Sequence, residues 1–165
     1  MRAIAKLFVL VLAFSITPSA NAQDTAPREM IEAIYDDILA GGEPPLPGER
    51  PDWLSPRLYE LFMADVETGI EFSTPGRLSF DVFVAGQDWR LSDVQITQRT
   101  PKIGEGDQAR LDHTRAVVTA RFKNFGEPTV VRYYFEQNSE GRWQIDEITF
   151  DEGWVLSIIL KYGDY

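Results

Sequence analysis

Ala116-Val117-Val118-Thr119-Ala120-Arg121-Phe122 and, past a Phe125-Gly126-Glu127-Pro128 turn, Val131-Arg132-Tyr133-Tyr134-Phe135 decide the fold of this chain. Ala116, Val118, Ala120 and Phe122 fall on every second residue of the first stretch, as Val131, Tyr133 and Phe135 do in the second. A period of two places these side chains on one face of a pleated strand. The Gly-Pro turn between the stretches predicts two antiparallel strands with one covered face.

Upstream, Val94 and Ile96 alternate with polar residues and predict another strand from about Leu91. Downstream, Asn138-Ser139-Glu140-Gly141 is a second turn, and Trp143 and Ile145 begin the last strand. Its apolar residues then shift to Ile148 and Phe150, an odd step that a β-bulge at Asp146-Glu147 would produce. Trp154, Leu156, Ile158, Ile159 and Leu160 predict a short C-terminal helix at the sheet edge.

The N-terminal part has a helical period instead. Pro27 suits the first position of a helix, and Met30, Ile31, Ile34, Tyr35, Ile38 and Leu39 share one face before Gly41-Gly42 ends the run. The proline- and glycine-rich stretch 43–51, with Pro44-Pro45-Leu46-Pro47, is a surface connector. Ser55-Pro56 caps a second helix, whose stripe of Leu58, Leu61, Phe62 and Val66 continues to about Gly69. Ser73 to Gly76 breaks it. In 78–85 the alternation is imperfect because Phe83 falls on the opposite face, so an irregular connector leads into Gln87-Asp88-Trp89. Two helices followed by antiparallel strands predict an α+β domain over 23–165: N-terminal helices packed on a curved, cone-like antiparallel sheet, with a short C-terminal helix.

Residues 1–22 read as a cleavable signal peptide. Arg2 and Lys6 precede an apolar run from Leu7 to Ile16, Pro18 breaks it, and Ala20-Asn21-Ala22 supplies the small-x-small pattern with cleavage before Gln23. The run is too short for a bilayer, which needs roughly 20 apolar residues. The expectation is a periplasmic or secreted protein with no stable membrane anchor after cleavage. With no cysteine, it is neither a lipoprotein nor held by disulfides. The formal charge of the whole chain is -10, and losing Arg2 and Lys6 makes it more negative still. Such a surface repels phosphate backbones, which argues against a nucleic-acid partner.

Asp81-Val82-Phe83 followed by Gln87-Asp88-Trp89, then 116–122, then Trp143-Gln144-Ile145-Asp146-Glu147-Ile148, resembles the domain of unknown function 3828 family of exported bacterial proteins. That family is similar in turn to the cone-shaped nuclear transport factor 2-like superfamily. The resemblance runs from about Arg28 to Leu160. It implies a sheet wrapped around an apolar pocket whose mouth faces the helices. It implies no reaction, because the superfamily includes isomerases and dehydratases beside binding and assembly domains.

Among residues with chemistry, His113 is the only histidine, and it sits at the end of a polar stretch where an exposed turn is expected. There is no Gly-x-Ser-x-Gly. Gly104-Glu105-Gly106-Asp107 and Asp112 lack the acidic ladder of a calcium loop, so neither metal nor cofactor is expected. Asp81 and Asp88 admit two readings. Inside an apolar cone a carboxylate would have a raised pKa and serve as a general base, with Tyr133 or Tyr134 donating to a developing oxyanion. Otherwise Asp88 caps a turn and Trp89 plugs the sheet edge. Phe83, Trp89, Phe122, Phe135 and Trp143, with Tyr133 and Phe150, either line a pocket or fill a core. The functional expectation is an exported, non-catalytic domain that binds a small apolar ligand or a partner protein. The alternatives are an isomerase or dehydratase using Asp81 or Asp88, and an interaction protein that neutralises a toxin with its acidic face.

Overall fold

A computed structural model describes residues 26–73 and 76–163, so the signal-peptide reading of 1–22 lies outside the described residues. Pro27 opens helix α1 (Pro27–Leu39), which buries Ile31, Ile34, Tyr35 and Ile38. Leu39, expected on the same face, is half exposed. The chain reverses at Gly41, whose φ of +96° suits glycine, and passes through a 3-10 turn over Pro47–Glu49. Ser55 caps helix α2 (Pro56–Phe72), its Oγ accepting the Leu58 N–H at 3.2 Å. This helix runs past the expected end near Gly69 and stops at Ser73, which is left-handed. Its buried face is Leu58, Phe62, Asp65 and Gly69, whereas Val66, expected in the stripe, is exposed. Asp65 is buried because its carboxylate accepts the N–H groups of Arg77 (2.8 Å) and Leu78 (3.3 Å), tying the helix to the connector that follows.

Strand β1 (Leu91–Arg99) comes next. Around the polar stretch that precedes His113, β2 (Lys102–Ile103) and β3 (Arg110–Leu111) form a small separate hairpin. Then follow β4 (Arg115–Asn124), β5 (Glu127–Gln137) and β6 (Trp143–Phe150). The main sheet has the order β1-β4-β5-β6, antiparallel throughout. With α1, α2 and the short helix α3 (Leu156–Tyr162), the fold is α+β as expected.

The register explains the core. Ala116 pairs with Phe135, Val118 with Tyr133 and Ala120 with Val131, so the alternating residues of β4 and β5 lie side by side on one buried face. On β6, Tyr134 pairs with Glu147 and Phe135 with Ile145, leaving Asp146 as the extra residue of the expected bulge. Helix α1 packs on β1 and β4, and α2 packs on β6 and α3. The outer edge of β6 is covered by the chain just before α2: Ser55 N–H donates to the Ile145 carbonyl (2.8 Å), and Ile145 N–H to the Trp53 carbonyl (2.7 Å). That pairing fixes the end of the 43–53 loop against the start of β6. No helix among the described residues is long and apolar enough to cross a membrane.

Candidate functional site

The aromatic residues singled out by sequence divide between core and surface. Phe83, Phe122, Tyr133 and Phe135 are each at most 4% exposed and pack in one cluster. Phe83 stacks on Tyr133 with centroids 5.8 Å apart, and Tyr35 of α1 lies 5.5 Å from Phe122. These side chains belong to the buried core of the domain. Trp89 is 36% exposed. Phe150 stands edge-on to Phe80, and both border a concavity together with Trp154. Of the set, Trp143 borders the cleft described below, and Phe135 borders a shallow concavity shared with Tyr134, Arg99 and Arg115.

The polar candidates are not brought together around an opening. The Asp81 carboxylate accepts the N–H groups of Phe83 (2.8 Å) and Val84 (3.1 Å), capping the turn that Asp81 and Gly86 close. Burial pushes its pKa up, and those two hydrogen bonds oppose the rise. Asp88 is exposed, and it is its backbone carbonyl that is engaged, by the Asn124 amide at 3.2 Å. The Tyr133 hydroxyl meets that of Tyr35 at 3.0 Å, and Tyr35 donates onward to the Phe83 carbonyl at 2.6 Å. Burial pushes both phenols well up, so they remain neutral donors within the core. His113 is an exposed turn residue. Among the described residues, no three histidine or carboxylate side chains come together as metal ligands.

An opening lies beside α1 instead, a cleft of about 350 Å³ between that helix, the 43–53 loop and the start of β6. Helix α1 contributes Met30, Ala33, Ile34 and Asp37, whose three- and four-residue spacing sets them along one strip. The loop contributes Pro45, Arg50 and Trp53, and the turn into β6 brings Arg142 and Trp143. Trp53 is held by the backbone pairing of 53–55 with β6, and its N–H donates to the Arg50 carbonyl at 3.0 Å. The Arg50 guanidinium therefore folds back over the Trp53 ring, 3.8 Å from the centroid. It has no ion pair in the described structure.

Arg142 is positioned by Asn138. Its N–H donates to Asn138 Oδ1 (3.0 Å) and its carbonyl accepts the Asn138 N–H (2.9 Å). Nη2 pairs with the exposed Glu140 carboxylate at 2.6 Å, while Nε is buried with no acceptor. Asp37, Glu43 and Asp52 supply the negative charge of the cleft. The Asp37 carboxylate rests over Gly42, where an added Cβ would lie 2.3 Å from Oδ2, so glycine is what allows this approach.

The cleft thus offers aromatic and aliphatic surface, two guanidiniums and three carboxylates. Its lining holds no histidine, serine, threonine or cysteine. Such a lining can pack against an apolar group and pair with charges of either sign. Sequence reasoning had passed over Arg50, Trp53, Asp37 and Arg142. The available signal was an arginine three residues before a tryptophan in a proline-rich loop, and Arg142-Trp143 at the mouth of a strand, on elements that the fold then joins. No family model, curated protein or solved structure matches this chain.

Proposed function

We propose that this chain is an exported, non-catalytic binding domain that takes a small, largely apolar molecule into the cleft between α1, the 43–53 loop and β6. The supporting observation is that Trp53 and Trp143 are only half buried and flank a concavity that Met30 and Ile34 floor. Its volume of about 350 Å³ falls within the range of small-molecule sites, which are mostly apolar with a few placed polar groups. Of the two carboxylates weighed from sequence as a general base, Asp81 is engaged in capping its own turn and Asp88 is exposed, and neither borders this cleft. The reading as a cone-shaped exported family member is part of the same proposal.

The test is thermal unfolding with a panel of small amphipathic molecules. A ligand at about 100 times its Kd stabilises the folded state by about 2.7 kcal/mol, which raises Tm by several degrees for a domain of this size. Ala33→Trp would fill the cleft from an exposed helix position without disturbing the core, and should abolish the shift. If no member of the panel moves Tm, or the shift survives Ala33→Trp, the cleft is not the binding site.

A further inference from the structure

The charges of the cleft say what kind of molecule would fit it. Arg142 is under-satisfied at rest: Glu140, itself 67% exposed, takes Nη2, while Nε is buried without an acceptor. A buried donor left unpaired is a loss that an arriving acceptor relieves. Nε and an Nη of one guanidinium are parallel donors that match the two oxygens of a carboxylate side-on. A ligand carboxylate replacing Glu140 on Nη2 would satisfy both once the guanidinium, on a side chain that is 38% exposed, turns its Nε edge toward the cleft.

A simple anion would nevertheless be opposed. Asp37, Glu43 and Asp52 outnumber the two guanidiniums of the cleft, in a chain whose formal charge is -10. A simple cation would meet those carboxylates favourably but would leave Nε unpaired, and it would find the face of Trp53 already covered by Arg50. A molecule with both charges answers both objections, and Met30, Ile34 and Trp143 leave the space between them apolar.

Resting on the cleft as the binding site, we propose that its ligand is an apolar zwitterion of amino-acid or dipeptide size. Its carboxylate is held by Arg142 and its ammonium by Asp37 and Glu43.

The test is calorimetric titration of the protein purified after expression of the full chain, with three probes: Leu-Leu, its C-terminal amide and its N-acetyl derivative. Leu-Leu should bind, and each blocked probe should bind about tenfold more weakly or worse, as expected for losing one charge-assisted contact. Arg142→Gln should abolish the preference for acid over amide. Arg142→Lys, which keeps the charge without the fork, should retain only part of it. Asp37→Asn should abolish the preference for the free amine. Both positions changed, half-buried Arg142 and exposed Asp37, lie outside the hydrophobic core, and unchanged Tm values would confirm folding. Equal affinity for the three probes would overturn the zwitterion while leaving the cleft as the site. Failure of all three to bind where another apolar molecule still raises Tm would do the same. No binding together with no thermal shift from any ligand would overturn both.

Discussion

The hydroxyls of Tyr35 on α1 and Tyr133 on β5 meet at 3.0 Å inside the core, and their roles are unequal. Tyr35 gives its proton to the Phe83 carbonyl, so Tyr133 must be the donor to Tyr35. The chain of bonds locks α1, the sheet and the irregular connector to one another. Tyr133→Phe removes one hydrogen bond and strands no donor, and should lower stability by about 1 kcal/mol. Tyr35→Phe leaves the Tyr133 hydroxyl and the Phe83 carbonyl without partners, and should cost about 2–4 kcal/mol. Urea unfolding of both variants checks the order. Equal losses would show that the network is not directional.

A second clasp holds the β6 bulge. Ser55 Oγ donates to Asp146 Oδ1 at 2.7 Å, and Arg57 bonds the same oxygen at 3.1 Å as well as the Asp146 carbonyl. Ser55 is buried and also caps α2, so Ser55→Ala should cost about 1–2 kcal/mol. Arg57 is half exposed, and Arg57→Ala should cost no more than about 1 kcal/mol. A larger loss at Arg57 than at Ser55 in chemical unfolding would contradict this ranking.

The same clasp sets a pH dependence. Burial raises the Asp146 carboxyl, but hydrogen bonds from Arg57 and Ser55 outweigh it and hold the group below its ordinary value. A depressed folded-state pKa gives stability that is present above the unfolded value of about 4 and is lost as pH falls through the folded value. Asp81 has the opposite sign: burial raises it, so its contribution is present in acid and declines as pH rises through its folded value. Asp146→Asn should therefore be less stable than the native protein at pH 7, with the gap closing in acid. Asp81→Asn should flatten the decline on the other side. Unfolding midpoints measured from acid to neutral pH test both, and a gap at Asp146 that stays constant with pH would contradict the assignment.

Asn124, at the end of β4, holds the connector by its side chain. Its Oδ1 accepts the Arg90 N–H at 2.9 Å, and its Nδ2 donates to the carbonyls of Val84 and Asp88. Asn124→Ala should cost about 1–2 kcal/mol and expose the Arg90 amide. Hydrogen exchange should then speed up at Arg90 while β5 amides are unaffected. Unchanged exchange at Arg90 would show that something else holds the segment.

Much of the architecture was legible in residue spacing. The alternation in 116–122 and 131–135 yields β4 and β5 because each strand has one covered face, and the odd step from Ile145 to Ile148 marks the bulge because an extra residue must reverse the phase. Pro27 and Ser55-Pro56 mark helix starts by local chemistry alone. What spacing could not reveal depends on long-range side-chain bonds. Asp65 displaces Val66 from the buried face of α2 because it caps the connector twelve residues on. The connector follows no period because Asp81 and Asn124, rather than a strand ladder, satisfy its backbone. The cleft was invisible for the same reason: Asp37, Arg50 and Arg142 come from three segments that only the pairing of Trp53 to β6 brings side by side. Of the aromatic residues that suggested a pocket, Phe83, Phe122, Tyr133 and Phe135 lie in the core, while Trp143 borders the cleft.

The four tryptophans provide the most direct measurement of where a ligand binds, since Trp53 and Trp143 border the cleft while Trp89 and Trp154 lie exposed elsewhere. In a proton–nitrogen correlation spectrum titrated with a ligand that raises Tm, the indole N–H signals of Trp53 and Trp143 should shift and those of Trp89 and Trp154 should stay in place. Movement of the Trp89 or Trp154 signals with Trp53 and Trp143 unmoved would contradict the account.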